Sequence, residues 1–264
     1  MTLLTSRDNP LIKTIFALQK RKGREKHRLF IAEGPHLLEE ALNSSFTVQS
    51  VIMKEGTTCS GSLWEKITER RVPVYQVFPR LYQELAETQT PQAMLGIVTQ
   101  PQESAVFPLV EPDFAGLILD EIQDPGNLGT MMRTAWAAGF RHLFLTPGTV
   151  DPYGGKVVRA SQGGIFNLKL YAQPMDSILN WAFTHGIKVW VADPRGAKLY
   201  FEEDLTGPIL FVFGNEARGF DWSTLTGNHR VEGLRIPLPG GAESLNVSIS
   251  AAILMYEALR QKHT

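Results

Sequence analysis

Ile209-Leu210-Phe211-Val212-Phe213-Gly214-Asn215-Glu216-Ala217-Arg218-Gly219 is five apolar residues running into a polar turn bounded by glycines. A short unbroken apolar run that ends in turn residues reads as a strand buried on both faces. Buried strands of that kind belong to parallel sheets, and open parallel sheets carry their ligands on the loops at strand ends. The same pattern occurs twice more. Leu117-Ile118-Leu119 leads to Asp124-Pro125-Gly126-Asn127-Leu128-Gly129 and on to Arg133. Leu234-Arg235-Ile236 leads to Pro237-Leu238-Pro239-Gly240-Gly241-Ala242-Glu243-Ser244-Leu245-Asn246-Val247-Ser248.

Working outward, strands and helices alternate on both sides of these patches. The expected strands beyond residue 115 are 117–119, 142–146, 166–170, 188–192, 209–213 and 234–236. Between them the 3.6-residue period predicts helices over 128–138, 157–162, 177–185 and 248–261. Gly139 and Gly186 follow two of these helices as terminating glycines. This is an α/β pattern with a mostly parallel sheet of about six strands.

Residues 1–100 form a second, smaller α/β pattern. Helices are expected over 7–22, 36–42 and 63–70, and strands over 29–32, 48–53, 72–78 and 93–99. Between the two patterns, residues 101–114 carry Pro101, Pro108 and Pro112 among polar-leaning residues and read as a linker. The expected organisation is therefore 1–100, a linker at 101–114, and 115–264.

Composition bounds the function classes. Of 264 residues, 43% are hydrophobic and 20% charged, the balance of an ordinary globular protein. No apolar run approaches the ~20 residues of a membrane span, and the first residues lack the pattern of a secretion signal. A cytoplasmic location is expected. Cys59 is the single cysteine, which excludes an intramolecular disulfide, and its ordinary reading is a small, partly buried hydrophobe. His27, His36, His142, His185, His229 and His263 show no ligand spacing, so no metal is expected.

The net charge of -1 conceals a basic arm. Residues 1–30 hold eight Lys and Arg against Asp8 and Glu25, with Lys20, Arg21, Lys22, Arg24, Lys26 and Arg28 close together. Most charge runs are solvated helix faces. An excess of six positive charges on one short arm is also a footprint for nucleic-acid phosphates.

Each polar patch has a plain structural reading beside a functional one. Asp124–Gly129 is a turn that opens a helix, and Gly126 and Gly129 have the wrong spacing for a dinucleotide fingerprint. Gly214 ends a strand. Asn246 or Ser248 caps the last helix. Yet residues 236–248 are long, nearly uncharged and rich in Gly and Pro. Such a segment leaves many backbone donors and acceptors for a ligand to engage.

Taken together, the three patches resemble the motifs of the SpoU/TrmH branch of the SPOUT methyltransferases, which methylate RNA ribose 2′-hydroxyls with S-adenosylmethionine. The resemblance implies a deep trefoil knot in residues 115–264, something no periodicity shows. It implies an L30e-like RNA-binding domain in residues 1–100, carried by Phe30-Ile31-Ala32-Glu33-Gly34, so Glu33 and Gly34 join the basic arm as expected RNA contacts. By the same resemblance Asn127, Arg133, Glu216, Ser244 and Asn246 form the catalytic set, and Gly214, Ile236, Leu238, Leu245 and Ala192 line the cofactor site. Leu238 stands where methionine is common in the family, and Trp136 is bulky for its helix.

The family's Arg is usually given the role of general base, which is awkward because a guanidinium holds its proton. Stabilising the forming alkoxide by hydrogen bonds is the alternative. The partners implied are RNA, ribosomal rather than transfer RNA because of the appended domain, and a second copy of the chain. The last helix, with Ala251, Ile253, Leu254, Met255 and Leu259, is the expected dimer surface. A transfer-RNA enzyme, an antibiotic-resistance enzyme acting on ribosomal RNA and a silent RNA-binding protein are the other readings, and a dehydrogenase is disfavoured by the missing glycine fingerprint.

Overall fold

The computed structural model describes residues 2–59, 61–102, 106–224 and 231–263. His229 and part of the 101–114 stretch lie outside them. The chain divides into two compact units: residues 1–102 with 151–166, and residues 103–150 with 167–264.

The first unit opens with strand β1 (Thr2–Leu4), helix α1 (Pro10–Leu18) and helix α2 (Arg21–His27). Asn9 starts α1, its side chain accepting the Leu11 N–H at 2.9 Å, with Pro10 at the first helical position. The single helix expected over 7–22 is two. Apolar anchoring ends at Leu18, Lys20 is extended, and α2 folds back on α1. Gly23 permits the approach: a Cβ there would stand 1.9 Å from the Ala17 carbonyl oxygen. Next come β2 (Leu29–Glu33), α3 (Pro35–Asn43), β3 (Val48–Lys54), α4 (Ser62–Glu69), β4 (Val74–Val77), α5 (Pro79–Leu85) and β5 (Met94–Thr99). The sheet order is β1-β4-β3-β5-β2, with β5 antiparallel to both neighbours and the rest parallel. Ile12, Ile15, Leu18, Ile31, Ile52, Leu85, Leu95 and Ile97 close its core.

The second unit begins with β6 (Ala115–Leu119), α6 (Pro125–Ala137) and β7 (His142–Leu145). Residues 151–166 then belong to the first unit and form α7 (Gly155–Ser161) and a 3-10 turn at Gly164–Phe166. The second unit resumes with β8 (Lys169–Ala172), α8 (Met175–Thr184), β9 (Lys188–Ala192), β10 (Lys198–Leu199), β11 (Ile209–Phe213), β12 (Val231–Arg235) and α9 (Val247–Lys262). The expected strand at 166–170 thus starts later, after the 3-10 turn. The two-residue β10 brings the sheet to seven strands rather than six.

All seven strands are parallel, in the order β10-β12-β9-β11-β6-β7-β8. From β6 the chain runs outward through β7 and β8, then crosses to β9, and β11 inserts between β9 and β6. The crevice at the carboxyl ends of β6 and β11 is the switch point where such sheets bind ligands. β11 is 0–1% exposed along its whole length, as a central strand covered on both faces must be. One face packs on α8 through Ile178, Leu179, Trp181 and Ala182. Elsewhere in this unit α6 and α9 pack together, and Phe140 stacks on Phe211 with ring centroids 6.0 Å apart.

The segment 151–166 is tied to the first unit by charge. Arg24 is 7% exposed, its guanidinium 2.7 Å from the Asp151 carboxylate and 2.8 Å from the Leu18 carbonyl. Arg159 of α7 lies 3.5 Å from Glu33 and 3.4 Å from Glu87. Thr88 donates its hydroxyl proton to Glu33. Burial raises the Glu87 carboxyl, against the pull of Arg159 and Arg24. Buried charges of this kind persist only where they are paired. None of the described helices is long and apolar enough to cross a membrane.

Candidate active site

Three strand-end loops of the second unit meet through three side chains. Asp124 caps α6, accepting the Asn127 N–H at 2.8 Å, and this fixes the first turn and aims the Asn127 side chain. Glu216 stands three residues past the end of β11. Its carboxylate accepts from the Gln123 and Asp124 backbone N–H groups at 3.1 and 3.0 Å, and from the Asn127 side-chain amide at 3.1 Å. Asn127 in turn accepts, at 3.0 Å, from the side-chain amide of Asn246. Asn246 caps α9: its oxygen accepts from the Ser248 N–H at 2.9 Å and the Ser248 hydroxyl at 2.6 Å. The result is a continuous hydrogen-bonded chain, Glu216 to Asn127 to Asn246. Burial raises the Glu216 carboxyl, but the hydrogen bonds it accepts outweigh burial and hold it below the usual carboxylate range.

The loop after β11 is held by its own hydrogen bonds and by a close approach at Gly214. The Asn215 side chain donates to the Glu121 carbonyl at 3.0 Å and accepts from the Ala217 and Arg218 N–H groups at 3.0 and 3.2 Å. Arg218 pairs with Glu121. Gly214 faces the returning chain so closely that a Cβ would stand 2.4 Å from Phe220 N and 2.5 Å from Gly219 C. No side chain fits there.

Beside the hydrogen-bonded chain lies a cavity of about 680 Å³, walled by Asn127, Gly214, Glu216, Ser244, Leu245 and Asn246 among others. A smaller, largely apolar recess of about 30 Å³ adjoins it, lined by Ala192, Leu234, Ile236, Leu238 and Leu245. Four of the five expected catalytic residues and three of the expected cofactor-lining residues, Ala192, Gly214 and Leu245, wall the larger cavity, and Ile236 and Leu238 line the adjoining recess. Ser244 is exposed and makes no hydrogen bond among the described residues.

Arg133 is placed differently. It is exposed, two turns along α6 from Asn127, and is not part of the cavity wall. Six residues of helix carry it about 9 Å along the axis. It makes no hydrogen bond or ion pair among the described residues.

Asp193, Pro194 and Arg195 line the large cavity and went unforeseen. They follow β9 directly, so the rule that ligands sit beyond strand ends would have found them. Asp193 accepts the Trp222 indole N–H at 2.8 Å, a bond no local pattern reveals.

On the first unit, Lys20, Arg21, Lys22 and Lys26 are exposed on and beside α2, with Arg21 bonded to Glu25 at 2.7 Å. Arg28 donates to the Pro101 carbonyl at 2.6 Å. Three residues of the expected RNA surface, Arg24, Glu33 and Gly34, are not at the surface. Arg24 is buried against Asp151, and Glu33, 6% exposed, is held by Thr88 and Arg159. Their charges are satisfied inside the unit. Gly34 has a φ of 105°, open to glycine alone at low cost.

A seven-stranded parallel sheet with a polar, glycine-rich cavity at its switch point defines an α/β ligand-binding domain. Residues 115–256 match the SpoU rRNA Methylase family, and residues 9–96 match the MRM3-like substrate binding domain. The chain belongs to the SpoU rRNA methylase family. It is 33% identical, over 97% of its length and 98% of the relative's, to the 23S rRNA (guanosine(2553)-2'-O)-methyltransferase RlmP of Bacillus subtilis (strain 168). It is 28% identical to the 23S rRNA (uridine(2479)-2'-O)-methyltransferase of Streptomyces viridochromogenes, over 98% of this chain and 92% of that one. The solved SpoU methyltransferase AviRb from Streptomyces viridochromogenes, in complex with the cofactor AdoMet, superimposes with a TM-score of 0.85. It is 28% identical and covers 98% of this chain and 99% of that one.

Proposed function

We propose that this chain is an S-adenosylmethionine-dependent RNA ribose 2′-O-methyltransferase that acts on ribosomal RNA. The observation that carries the reading is the Glu216–Asn127–Asn246 chain on the wall of the 680 Å³ cavity. It joins all three polar patches at a single point.

The residues present fit the cofactor. Gly214 lets the 215–220 loop close against the end of β11, and that loop forms one wall of the cavity. Ala192, Ile236, Leu238 and Leu245 give the edge of the cavity an apolar face for the flat side of a purine, and the exposed Ser244 offers polar groups for the rest of the molecule. When bound, S-adenosylmethionine supplies an electrophilic methyl group. The chain's own part is positioning. Glu216 fixes the Asn127 amide, and Asn127 and Asn246 present preformed dipoles toward the cavity, which orients a ribose hydroxyl without reorganisation. The exposed Arg133 guanidinium offers donors to RNA oxygens, as a stabiliser of negative charge rather than as a base.

The first unit serves as the RNA-binding part, with Lys20, Lys22 and Lys26 meeting phosphates. The protein is cytoplasmic, its second unit carries the family's trefoil knot, and it works as a homodimer. Helix α9 supports the dimer. Ala251, Leu254 and Met255 are buried within the unit and leave the expected surface, but Ile249 and Tyr256 are each 50% exposed, with half-buried Ile253 between them. An apolar stripe at that spacing suits a second copy. Light scattering at micromolar concentration should return twice the chain mass.

The direct test is transfer of tritiated methyl groups to ribosomal RNA from a strain lacking the gene, with mapping of the 2′-O-methylated nucleotide. Transfer to transfer RNA instead would move the substrate. No transfer to any RNA, with S-adenosylmethionine bound, would favour the silent RNA-binding reading.

A further inference from the structure

A second cavity of about 610 Å³ opens on the other side of the 215–220 loop, at the carboxyl ends of β6 and β7. Arg195, Asn215, Arg218, Gly219 and Phe220 belong to both cavities, so the loop is a shared wall. Pro147, Pro174, Met175, Phe220 and Trp222 form an apolar side of an otherwise polar lining. Phe220 and Trp222 meet edge to face at 5.3 Å, and Asp193 holds the indole, so this wall is rigid.

One wall is acidic. Asp120 follows β6 directly. The Thr146 hydroxyl donates to its Oδ1 at 2.7 Å and accepts the Glu121 N–H at 3.1 Å, which fixes the carboxylate in place. Its Oδ2 has no hydrogen-bond partner among the described residues. Glu121 and Asp221 also line the space, and Glu121 is paired with Arg218. Three carboxylates against the two guanidiniums of Arg195 and Arg218 leave the space net negative, which disfavours a phosphate. A neutral planar ring with N–H donors on one edge matches it. Burial raises the Asp120 carboxyl while Thr146 lowers it.

We propose that this cavity receives the base of the nucleotide to be methylated, and that Asp120 selects guanine. The inference rests on the methyltransferase reading above. Guanine alone presents two adjacent donors, N1–H and N2–H, that both oxygens of one carboxylate accept together. Cytosine and adenine offer an amino group beside a bare ring acceptor. Uracil offers a single N–H between two carbonyls, which face the carboxylate unfavourably. With the ribose against Asn127 and Asn246, the base crosses the shared loop into the acidic pocket. Asp120 is the specificity residue and Thr146 positions it.

The experiment uses full-length protein and ribosomal RNA transcripts in which the mapped target nucleotide is guanosine, inosine or uridine. Inosine differs from guanosine only by the missing N2 amine. The expected result is that guanosine has the highest kcat/KM, at least about tenfold above inosine and uridine. Asp120→Asn should lower the guanosine value by about tenfold to a hundredfold and narrow the guanosine-to-inosine ratio. Affinity for S-adenosylmethionine by calorimetry should stay within about twofold, which also shows that the variant is folded. Thr146→Val should act in the same direction with a smaller loss, and serves if Asp120→Asn does not fold. Equal rates on guanosine and uridine, or a variant with an unchanged guanosine-to-inosine ratio, would overturn the inference while leaving the methyltransferase reading intact. Absence of methylation on every RNA would overturn both.

Discussion

Asn127 and Asn246, 119 residues apart, share a side-chain hydrogen bond of 3.0 Å that joins the first turn of α6 to the cap of α9. One amide thereby serves two ends. Asn246 uses its oxygen to hold the start of α9 and its nitrogen to hold Asn127.

That double duty separates two variants. Asn246→Ala should lose the cap, about 1 kcal/mol of stability, together with methyl transfer. Asn246→Asp keeps an oxygen for the cap but turns a second acceptor toward the Asn127 oxygen. It should retain stability and lose transfer. Thermal unfolding beside single-turnover methylation would tell them apart, and equal stability loss in both variants would refute the shared-amide account.

Gly214→Ala should weaken S-adenosylmethionine binding at least about tenfold. The added methyl meets backbone at 2.4 to 2.5 Å, so the 215–220 loop must move rather than a flexible side chain. Titration calorimetry measures it, and unchanged affinity would remove this loop from the cofactor site.

Arg133→Ala should abolish methyl transfer, keep cofactor affinity within a few-fold, and leave stability within about 0.5 kcal/mol. An exposed side chain of this kind contributes little to folding. Near-normal turnover would contradict its functional assignment.

Glu216 gives a pH signature. Its folded-state carboxyl lies below the usual range. Its contribution to stability is therefore fully present above the unfolded pKa, about 4.3, and is lost as pH falls through the lower folded value. The stability gap between wild type and Glu216→Gln should be constant near neutrality and shrink below about pH 4. Urea unfolding at successive pH values would show it, and a gap that widens with acid would reverse the assignment.

For RNA binding by the first unit, replacing Lys20, Lys22 and Lys26 with Gln is a cleaner test than removing residues 1–100. Deletion would strip α7 of the unit it packs in. If these lysines meet phosphates, the log-log salt slope of RNA affinity should flatten by roughly 0.7 for each phosphate no longer neutralised. An unchanged slope would leave them as solvated charge.

Local sequence determined a good deal. β9 and β11 fall at the residues that their apolar runs mark, and α6 and α9 begin close to the turn chemistry that announces them. The three patches stand at strand ends because a buried strand cannot continue into Gly, Asn and Glu. Such patterns carry their own signal, since period and turn chemistry act over a few residues.

The tertiary structure decided what local pattern does not encode. Arg24 reads like its basic neighbours in the chain, and only Asp151, 127 residues away, makes it a buried structural charge. Helix 7–22 breaks because Gly23 allows two helices to touch. β10 is two residues long and pairs only because β12 lies beside it. Arg133 matches a functional motif by spacing, yet the helix turns it away from Asn127 to the surface. Burial and close approach depend on residues distant in sequence, and desolvation acts on a side chain only once those residues have arrived.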